Sequence, residues 1–139
     1  MKFNRVMIID DNEIELFLIG KMMRQCSFSN EIIVKNNCAE ALNFLSKECE
    51  KSMDLPDFIF CDWFMPLHNG HDFIENFSKK SKEITSKCKL IILSVLMNEE
   101  EIKKLLENEY VYTFLQKPLT LKALNALSEL NRLSSSSNR

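Results

Sequence analysis

Apolar and polar positions divide this chain into a repeated pattern of short apolar runs and longer segments of helical period. Runs with little polar alternation are typical of strands that are buried on both faces of a sheet. Between these runs, apolar residues recur at spacings of three and four, which is the period of an amphipathic helix. The apolar runs span residues 6–9, 32–34, 58–61, 90–93 and 111–115. The segments with helical period follow Asn12, Asn37, Asn69, Asn98 and Thr120.

The order of these segments predicts five β–α units in one domain. Strands that alternate with helices indicate a parallel sheet covered by helices on both faces, which is a three-layer, doubly wound α/β fold. A length of 139 residues is ordinary for one domain. We expect the domain to cover residues 1–133. Residues 134–139 form a Ser-rich end that has little to bury, so we predict a flexible tail there.

The first helix is predicted from Asn12 to Gln25, and several of its positions carry specific expectations. Ile14, Phe17 and Leu18, followed by Met22, keep the spacing of one helix face, so we expect that face to be buried. Glu13 and Glu15 lie in the first turn, where acidic side chains interact favourably with the helix dipole.

Composition excludes several classes of function. The net charge of −2 gives no basic surface for nucleic acid, so we expect no direct nucleic-acid partner. No apolar run approaches the ~18 residues of a membrane span, and no secretory leader is evident, so we expect a cytoplasmic protein that does not bind membranes. The five cysteines have no CxxC spacing and are expected to be reduced core residues.

Polar residues follow four of the predicted strands, and they suggest a reaction. Asp10 and Asp11 follow the first strand, Asp62 the third, Ser94 the fourth and Lys117 the fifth. In a parallel sheet these ends share one edge, where ligands of open α/β sheets bind. Carboxylates that lie close together resist full ionisation unless a cation joins them, and Mg²⁺ suits such oxygen ligands. Asp62, at the end of the central strand, is the best candidate for a nucleophile that accepts a phosphoryl group.

Four short motifs in this order resemble the receiver domain of two-component response regulators. They are VMIIDD at 6–11, CDWFMP at 61–66, IILS at 91–94 and QKP at 116–118. The resemblance covers about residues 3 to 133. It implies a flavodoxin-like (βα)5 fold with a five-stranded parallel sheet in the order 2-1-3-4-5. Because no further domain follows in this sequence, we expect a stand-alone receiver that acts as a relay or by binding another protein.

The resemblance also implies an acidic centre. Asp62 would be the phosphoacceptor, and Asp10 and Asp11 would be the acidic pair that holds Mg²⁺ together with Asp62. The backbone carbonyl of Phe64 would be a further ligand of the same ion.

The remaining motif residues would have roles in catalysis and switching. Lys117 would pair with the phosphoryl group, and the Lys117–Pro118 peptide is often cis in the family. Ser94 stands at the switch hydroxyl position and Phe114 at the switch aromatic position. By analogy, the surface formed by the fourth helix, the fifth strand and the fifth helix would change its affinity for a target.

The implied partners are a sensor histidine kinase or histidine phosphotransfer protein and a downstream protein target, with the chain a monomer or weak homodimer. Such a domain catalyses only its own phosphorylation and dephosphorylation. Two alternatives stay open. A flavodoxin-like binder of a small cofactor would share the fold but needs a phosphate-cradling loop where residues 10–13 read Asp-Asp-Asn-Glu. An Asp-dependent phosphatase would carry DxDx[TV] after the first strand, which that stretch does not match.

Overall fold

The structure is a computed structural model, and it describes residues 3–47, 54–65, 69–95 and 97–137. Within these ranges the chain forms five strands and six helices. The strands are β1 (Phe3–Ile9), β2 (Ser29–Lys35), β3 (Phe58–Asp62), β4 (Lys89–Ser94) and β5 (Val111–Gln116). The helices are α1 (Glu13–Gln25), α2 (Cys38–Lys47), α3 (Gly70–Ser78), α4 (Lys82–Lys87), α5 (Glu99–Glu107) and α6 (Leu121–Ser137).

The strands form one sheet, and its topology confirms the predicted fold. The order is β2-β1-β3-β4-β5, and every neighbouring pair is parallel. All residues of β3 are buried, as expected for the central strand of a sheet that is covered on both faces. The register aligns Ile9 of β1 with Cys61 of β3, so these two strands end side by side.

Two hydrophobic clusters lie on opposite faces of the sheet and establish the three layers. Successive side chains of a strand point to opposite faces. On β1, Met7 therefore packs with residues of α2, α3 and α5, while Ile8 packs with residues of α1 and α6. On β3, Ile59 likewise belongs to the same cluster as Met7, and Phe60 belongs to the same cluster as Ile8. The doubly wound arrangement thus follows from strands that are apolar at consecutive positions.

The connection between β3 and β4 contains a helix that the sequence pattern did not predict. The predicted helix after Asn69 is α3, which ends at Ser78, and α4 then runs from Lys82 to Lys87. Ser81 caps α4, and none of its residues is buried. A helix without a buried stripe leaves no apolar period in the sequence. The predicted fourth and fifth helices are therefore α5 and α6.

The last helix extends further than the sequence suggested. α6 continues to Ser137, so residues 134–137, which we expected to lie in a flexible tail, are helical. The domain boundary at 133 remains a prediction. No helix within the described ranges is both long enough and apolar enough to span a membrane.

The buried face of α1 differs from the expected one. Ile14, Phe17 and Leu18 are each more than half exposed, whereas Ile19 and Met23 are buried. The helix carries two neighbouring apolar stripes, and only the stripe through Ile19 and Met23 faces β1 and β3. Met22, the fourth residue of the expected face, is partly buried and packs against the same cluster. The expectation was therefore wrong for the other three residues, because periodicity alone does not decide between such stripes.

Several polar residues that precede the helical segments cap the helices. The side chain of Asn98 accepts the backbone N–H of Glu101 while the Glu101 carboxylate accepts that of Asn98, a reciprocal capping box that satisfies two donors at the start of α5. Asn37 accepts the N–H of Glu40 at 2.8 Å, and Thr120 caps α6. These caps fix where the helices begin, and thereby the lengths of the loops at the carboxyl ends of the strands.

Candidate functional site

Three aspartates meet where β1 and β3 end. Because Ile9 pairs with Cys61, the residues that follow them, Asp10 and Asp62, lie side by side. Carboxylate oxygens of Asp10, Asp11 and Asp62 all lie within 4.8 Å of one another. Asp10 is only 1% exposed and Asp62 6%, while Asp11 is open to solvent. The structure therefore brings the predicted acidic residues together, with one of them on the solvent side.

Lys117 reaches this group from the loop after β5. Its Nζ lies 3.1 Å from Asp10 Oδ2, 3.1 Å from Asp62 Oδ1 and 2.6 Å from Glu15 Oε2. The side chain is 8% exposed, so its ammonium group interacts mainly with these carboxylates and little with water. The Lys117–Pro118 peptide is cis, as the resemblance suggested. The predicted cation and the predicted nucleophile are thus in direct contact.

Burial shifts the ionisation of the acidic residues. The pKa of Asp10 is raised to about 7, first by burial and then by its hydrogen bond with Glu15. Burial also raises the pKa of Asp62, against the opposing effect of Lys117. Although burial favours the neutral amine, hydrogen bonds to Glu15 and Asp62 raise the pKa of Lys117. The carboxylates are thus only partly compensated by one ammonium group.

These residues fit a divalent cation. Hard oxygen donors that carry excess negative charge are the ligands Mg²⁺ prefers, and Mg²⁺ keeps several waters when it binds. Exposed Asp11 leaves a solvent side for those waters, while Asp10 and Asp62 close the buried side. The backbone N–H of Phe64 contributes a hydrogen bond that lowers the pKa of Asp62. The predicted role of the Phe64 carbonyl as a ligand stays a prediction.

Ser94 and Phe114 lie at or near the same edge. Ser94 ends β4, is fully buried and is aligned with Gln116 of β5. Its carbonyl accepts the backbone N–H of Lys117 at 2.9 Å. Phe114 is half-buried and packs against the cluster on the α2, α3 and α5 side. Their positions are those the motifs require, and their switching roles stay predictions.

Glu15 is the site residue that the sequence did not reveal as one. It was interpreted as a partner of the helix dipole, yet its carboxylate contacts Lys117 at 2.6 Å. It lies four residues after Asp11, one helical turn beyond the acidic pair. An acidic residue at that spacing on a helix that starts at the site is the signal that could have identified it.

The loop after Asp62 depends on a close approach at Gly70. The Gly70 N–H donates to the carbonyl of Trp63 at 2.8 Å. A Cβ at Gly70 would lie 2.6 Å from Cε3 of Trp63 and 3.0 Å from its Cα. Only glycine fits this contact without displacing the chain beside Asp62. Residues 66–68, which include part of the CDWFMP motif, lie outside the described ranges.

Cys61, which precedes Asp62, is a core residue rather than a second nucleophile. Its side chain is fully buried, and its thiol contacts the carbonyl of Asp62 at 3.5 Å. A hydrogen bond with Cys38 and burial both raise the pKa of the Cys61 thiol. Because the thiolate is the reactive form, this thiol is unreactive.

Comparisons with known proteins agree with this geometry. A response regulator from Cytophaga hutchinsonii superposes with a TM-score of 0.83 at 27% identity, over 93% of this chain and 96% of that one. A receiver protein from Dyadobacter fermentans shares the fold with a TM-score of 0.79 at 23% identity, over 91% and 94% of the two chains. The protein named "Probable methanogenesis regulatory protein FilR2" from Methanothrix harundinacea is 21% identical over 89% of this chain and 78% of its own length.

The family model described as the response regulator receiver domain matches residues 6–129. That span runs from Val6, within β1, into α6, so it includes the strand ends and the part of α1 that form the acidic edge. The chain therefore belongs to the response regulator receiver domain family of two-component signalling.

Proposed function

We propose that this domain accepts a phosphoryl group on Asp62 from a phosphohistidine of a sensor histidine kinase or histidine phosphotransfer protein. The observation that carries the proposal is the meeting of Asp10, Asp11 and Asp62 within 4.8 Å, with Lys117 Nζ 3.1 Å from Asp62 Oδ1. This combination of acidic residues and one cation suits phosphoryl transfer, where catalysis rests on positioning and on offsetting charge.

The reaction needs a nucleophile and compensation for the charge that develops. A carboxylate oxygen of Asp62 attacks phosphorus, the phosphorus–nitrogen bond breaks, and the donor histidine leaves with the electron pair of that bond. The product is an acyl phosphate on Asp62. Asp10, Asp11 and Asp62 would hold a Mg²⁺ ion, which would supply positive charge to offset that of the phosphoryl group. Lys117 donates to the phosphoryl oxygens from the β5 side.

The consequence of phosphorylation is a change at the β4 and β5 ends. The Ser94 hydroxyl turns to donate to the phosphoryl group, and Phe114 repacks. The surface formed by α5, β5 and α6 then changes its affinity for a downstream protein. Support comes from the hydrogen bond between the Ser94 carbonyl and the Lys117 N–H, which ties the two strand ends together at 2.9 Å. A ligand-dependent shift between two such packings is sufficient for a switch.

Exposed apolar residues beside the site support a protein as phosphodonor. Ile14, Phe17 and Leu18 on α1 and Val95 after β4 are all more than half exposed. A patch of this kind next to an acidic centre suits a partner helix with apolar side chains around its histidine. The absence of nucleic-acid binding and the oligomeric state, monomer or weak homodimer, remain predictions, as does the cytoplasmic location.

The test is phosphorylation by a small donor. The protein is incubated with acetyl phosphate and MgCl₂ and followed by intact mass, and we expect one phosphoryl group per chain. Asp62→Asn should acquire none, whereas Asp72→Asn, a control on α3, should react as the wild type does. A beryllofluoride complex should change the fluorescence of Trp63, which follows Asp62 directly. Equal modification of wild type and Asp62→Asn would contradict the proposal.

The two alternative functions have weaker physical support. A flavodoxin-like binder must attract a phosphate-bearing cofactor, but Asp10, Asp11 and Asp62 would repel one at the edge where it would bind. A phosphatase would release inorganic phosphate with repeated turnover, whereas we propose one phosphoryl transfer per cycle and no activity beyond self-phosphorylation and dephosphorylation. Flavin absorbance in the purified protein, or sustained hydrolysis of an aryl phosphate, would favour these alternatives.

A further inference from the structure

Glu15 makes the shortest of the contacts to the ammonium group of Lys117. Its Oε2 lies 2.6 Å from Nζ, against 3.1 Å for both Asp10 and Asp62. A lysine ammonium has three N–H donors. In the unphosphorylated structure those donors face Asp10, Glu15 and Asp62, so any donation to a phosphoryl oxygen must replace one of these contacts.

The first turn of α1 holds Glu15 in place. The Asp10 carboxylate accepts the N–H of Asn12 at 2.9 Å, and the Asn12 side chain accepts the N–H of Glu15 at 3.1 Å. The backbone at Glu15 is therefore fixed relative to Asp10 itself. The Glu15 side chain is 37% exposed and Lys117 is 8% exposed, so Glu15 approaches the ammonium from the solvent side.

We propose that Glu15 is a positioning residue for phosphoryl transfer, which anchors the Lys117 ammonium in the resting domain and limits how readily it turns toward the phosphoryl group. The inference rests on the proposed function. When the Asp62 oxygen that contacts Nζ becomes bonded to phosphorus, Lys117 must shift to the new phosphoryl oxygens. The contact with Glu15 opposes that shift because Glu15 holds the ammonium group from the solvent side.

Two opposite effects follow from removing the Glu15 charge. Its carboxylate adds negative potential near the acidic centre, so Glu15→Gln should weaken Mg²⁺ binding by about threefold. The same change loosens Lys117, so the rate of phosphorylation at saturating Mg²⁺ and acetyl phosphate should rise by about threefold. A residue with a merely structural role would not change these two quantities in opposite directions.

The experiment compares Glu15→Gln with Glu13→Gln, which removes the same charge from the same turn of α1. Glu13 is exposed and has no ion pair with Lys117 among the contacts the structure describes. Mg²⁺ affinity is read from Trp63 fluorescence, and the rate from intact mass. In metal-free protein, NMR of the Lys117 side chain should show a lower pKa for Glu15→Gln and no change for Glu13→Gln.

A third variant distinguishes the direct contact between Glu15 and Lys117 from the longer-range effect of the Glu15 charge. Glu15→Asp keeps the charge but withdraws it by one methylene, so Mg²⁺ affinity should stay near that of the wild type while the rate rises as in Glu15→Gln. If Glu15→Gln matches Glu13→Gln in affinity, rate and Lys117 pKa, or if Glu15→Asp matches the wild type in rate, the inference is overturned. If the wild type accepts no phosphoryl group, the proposed function fails, and the metal-free NMR comparison still tests the anchor.

Discussion

Replacement of Asp10 by Asn tests the electrostatics of the acidic edge directly. Asp10 is 1% exposed, and burial together with its hydrogen bond to Glu15 raises its pKa from 3.8 to about 7. A carboxyl with a raised folded-state pKa binds a proton that the unfolded chain has already released. Stability of the metal-free domain therefore falls as the pH rises from about 4 to about 7, and the loss is complete above that window.

The size of the effect follows from the shift. Each pKa unit corresponds to about 1.4 kcal/mol, so a shift of about three units sets an upper limit of about 4 kcal/mol. Asparagine avoids this loss because it is neutral throughout, and the attraction of Lys117 for the Asp10 charge is already contained in the raised pKa. We therefore expect Asp10→Asn to be more stable than the wild type at pH values near 8, by up to about 4 kcal/mol.

Urea denaturation in the presence of a chelator measures this difference. The stability of the two proteins should be similar at pH 4 or below, and the gap should widen until the pH reaches about 7. Asp11→Asn is the matched control, since Asp11 is exposed at the same edge and should alter metal-free stability little. A wild type that is as stable as Asp10→Asn near pH 8, or more stable, would refute the argument that burial disfavours the Asp10 charge.

Added Mg²⁺ should reverse the order of stability of the wild type and Asp10→Asn. A cation that binds only the folded state stabilises it according to its affinity, and that affinity depends on ionised carboxylates. The wild type should therefore gain more stability from Mg²⁺ than Asp10→Asn or Asp11→Asn. Equal gains in all three proteins would show that the ion binds elsewhere.

Other variants test single contacts. Gly70→Ala should lower stability by about 1–3 kcal/mol because its methyl group meets the backbone and ring of Trp63, whereas Gly20→Ala, whose methyl group would meet only a flexible arginine, should raise it by about 0.5–1 kcal/mol. Lys117→Met should cost about 3 kcal/mol in metal-free protein at neutral pH, with part restored by Mg²⁺. Phe17→Ser should change stability by less than about 0.5 kcal/mol. The same change should slow transfer from a phosphohistidine protein and leave transfer from acetyl phosphate unchanged.

Each of these three predictions has an outcome that would contradict it. Denaturation midpoints that are equal for the two glycine variants would show that the close approach at Gly70 relaxes without cost. Full stability of Lys117→Met without metal would mean that the carboxylates do not depend on the ammonium. A Phe17→Ser variant that is equally slow with both donors would place the defect in the reaction rather than in docking.

The sequence predicted the fold well because the strands carry consecutive apolar residues. Such runs fit a doubly covered parallel sheet and little else, and the order of the polar strand ends then implied that Asp10 and Asp62 meet. The helix α4 was missed because none of its residues, Lys82–Lys87, is fully buried, and one partly buried apolar residue, Ile84, gives no helical period in the sequence. Prediction succeeded where burial imposes a repeated pattern and failed where a short helix has a cap and a single apolar contact.

The orientation of α1 was the larger error, and it has a consequence at the site. The residues Ile14, Phe17 and Leu18 looked like a buried stripe, but the helix turns its other stripe, through Ile19 and Met23, to the sheet. Only that rotation brings Glu15 over Lys117. A sequence pattern with two apolar stripes cannot choose the rotation, so it could not identify the contact.

The same rotation leaves the apolar stripe of α1 exposed beside the acidic edge, and this links the proposed docking surface to the proposed reaction. Phe17 and Leu18 lie on the helix that also carries Glu15, and Glu15 contacts Lys117, the cation that we propose pairs with the phosphoryl group. A partner that packs on α1 therefore touches the element that holds Lys117. We therefore expect a phosphodonor that docks on α1 to loosen the contact between Glu15 and Lys117, and a transfer rate from that donor that is equal in the wild type and Glu15→Gln would support this coupling.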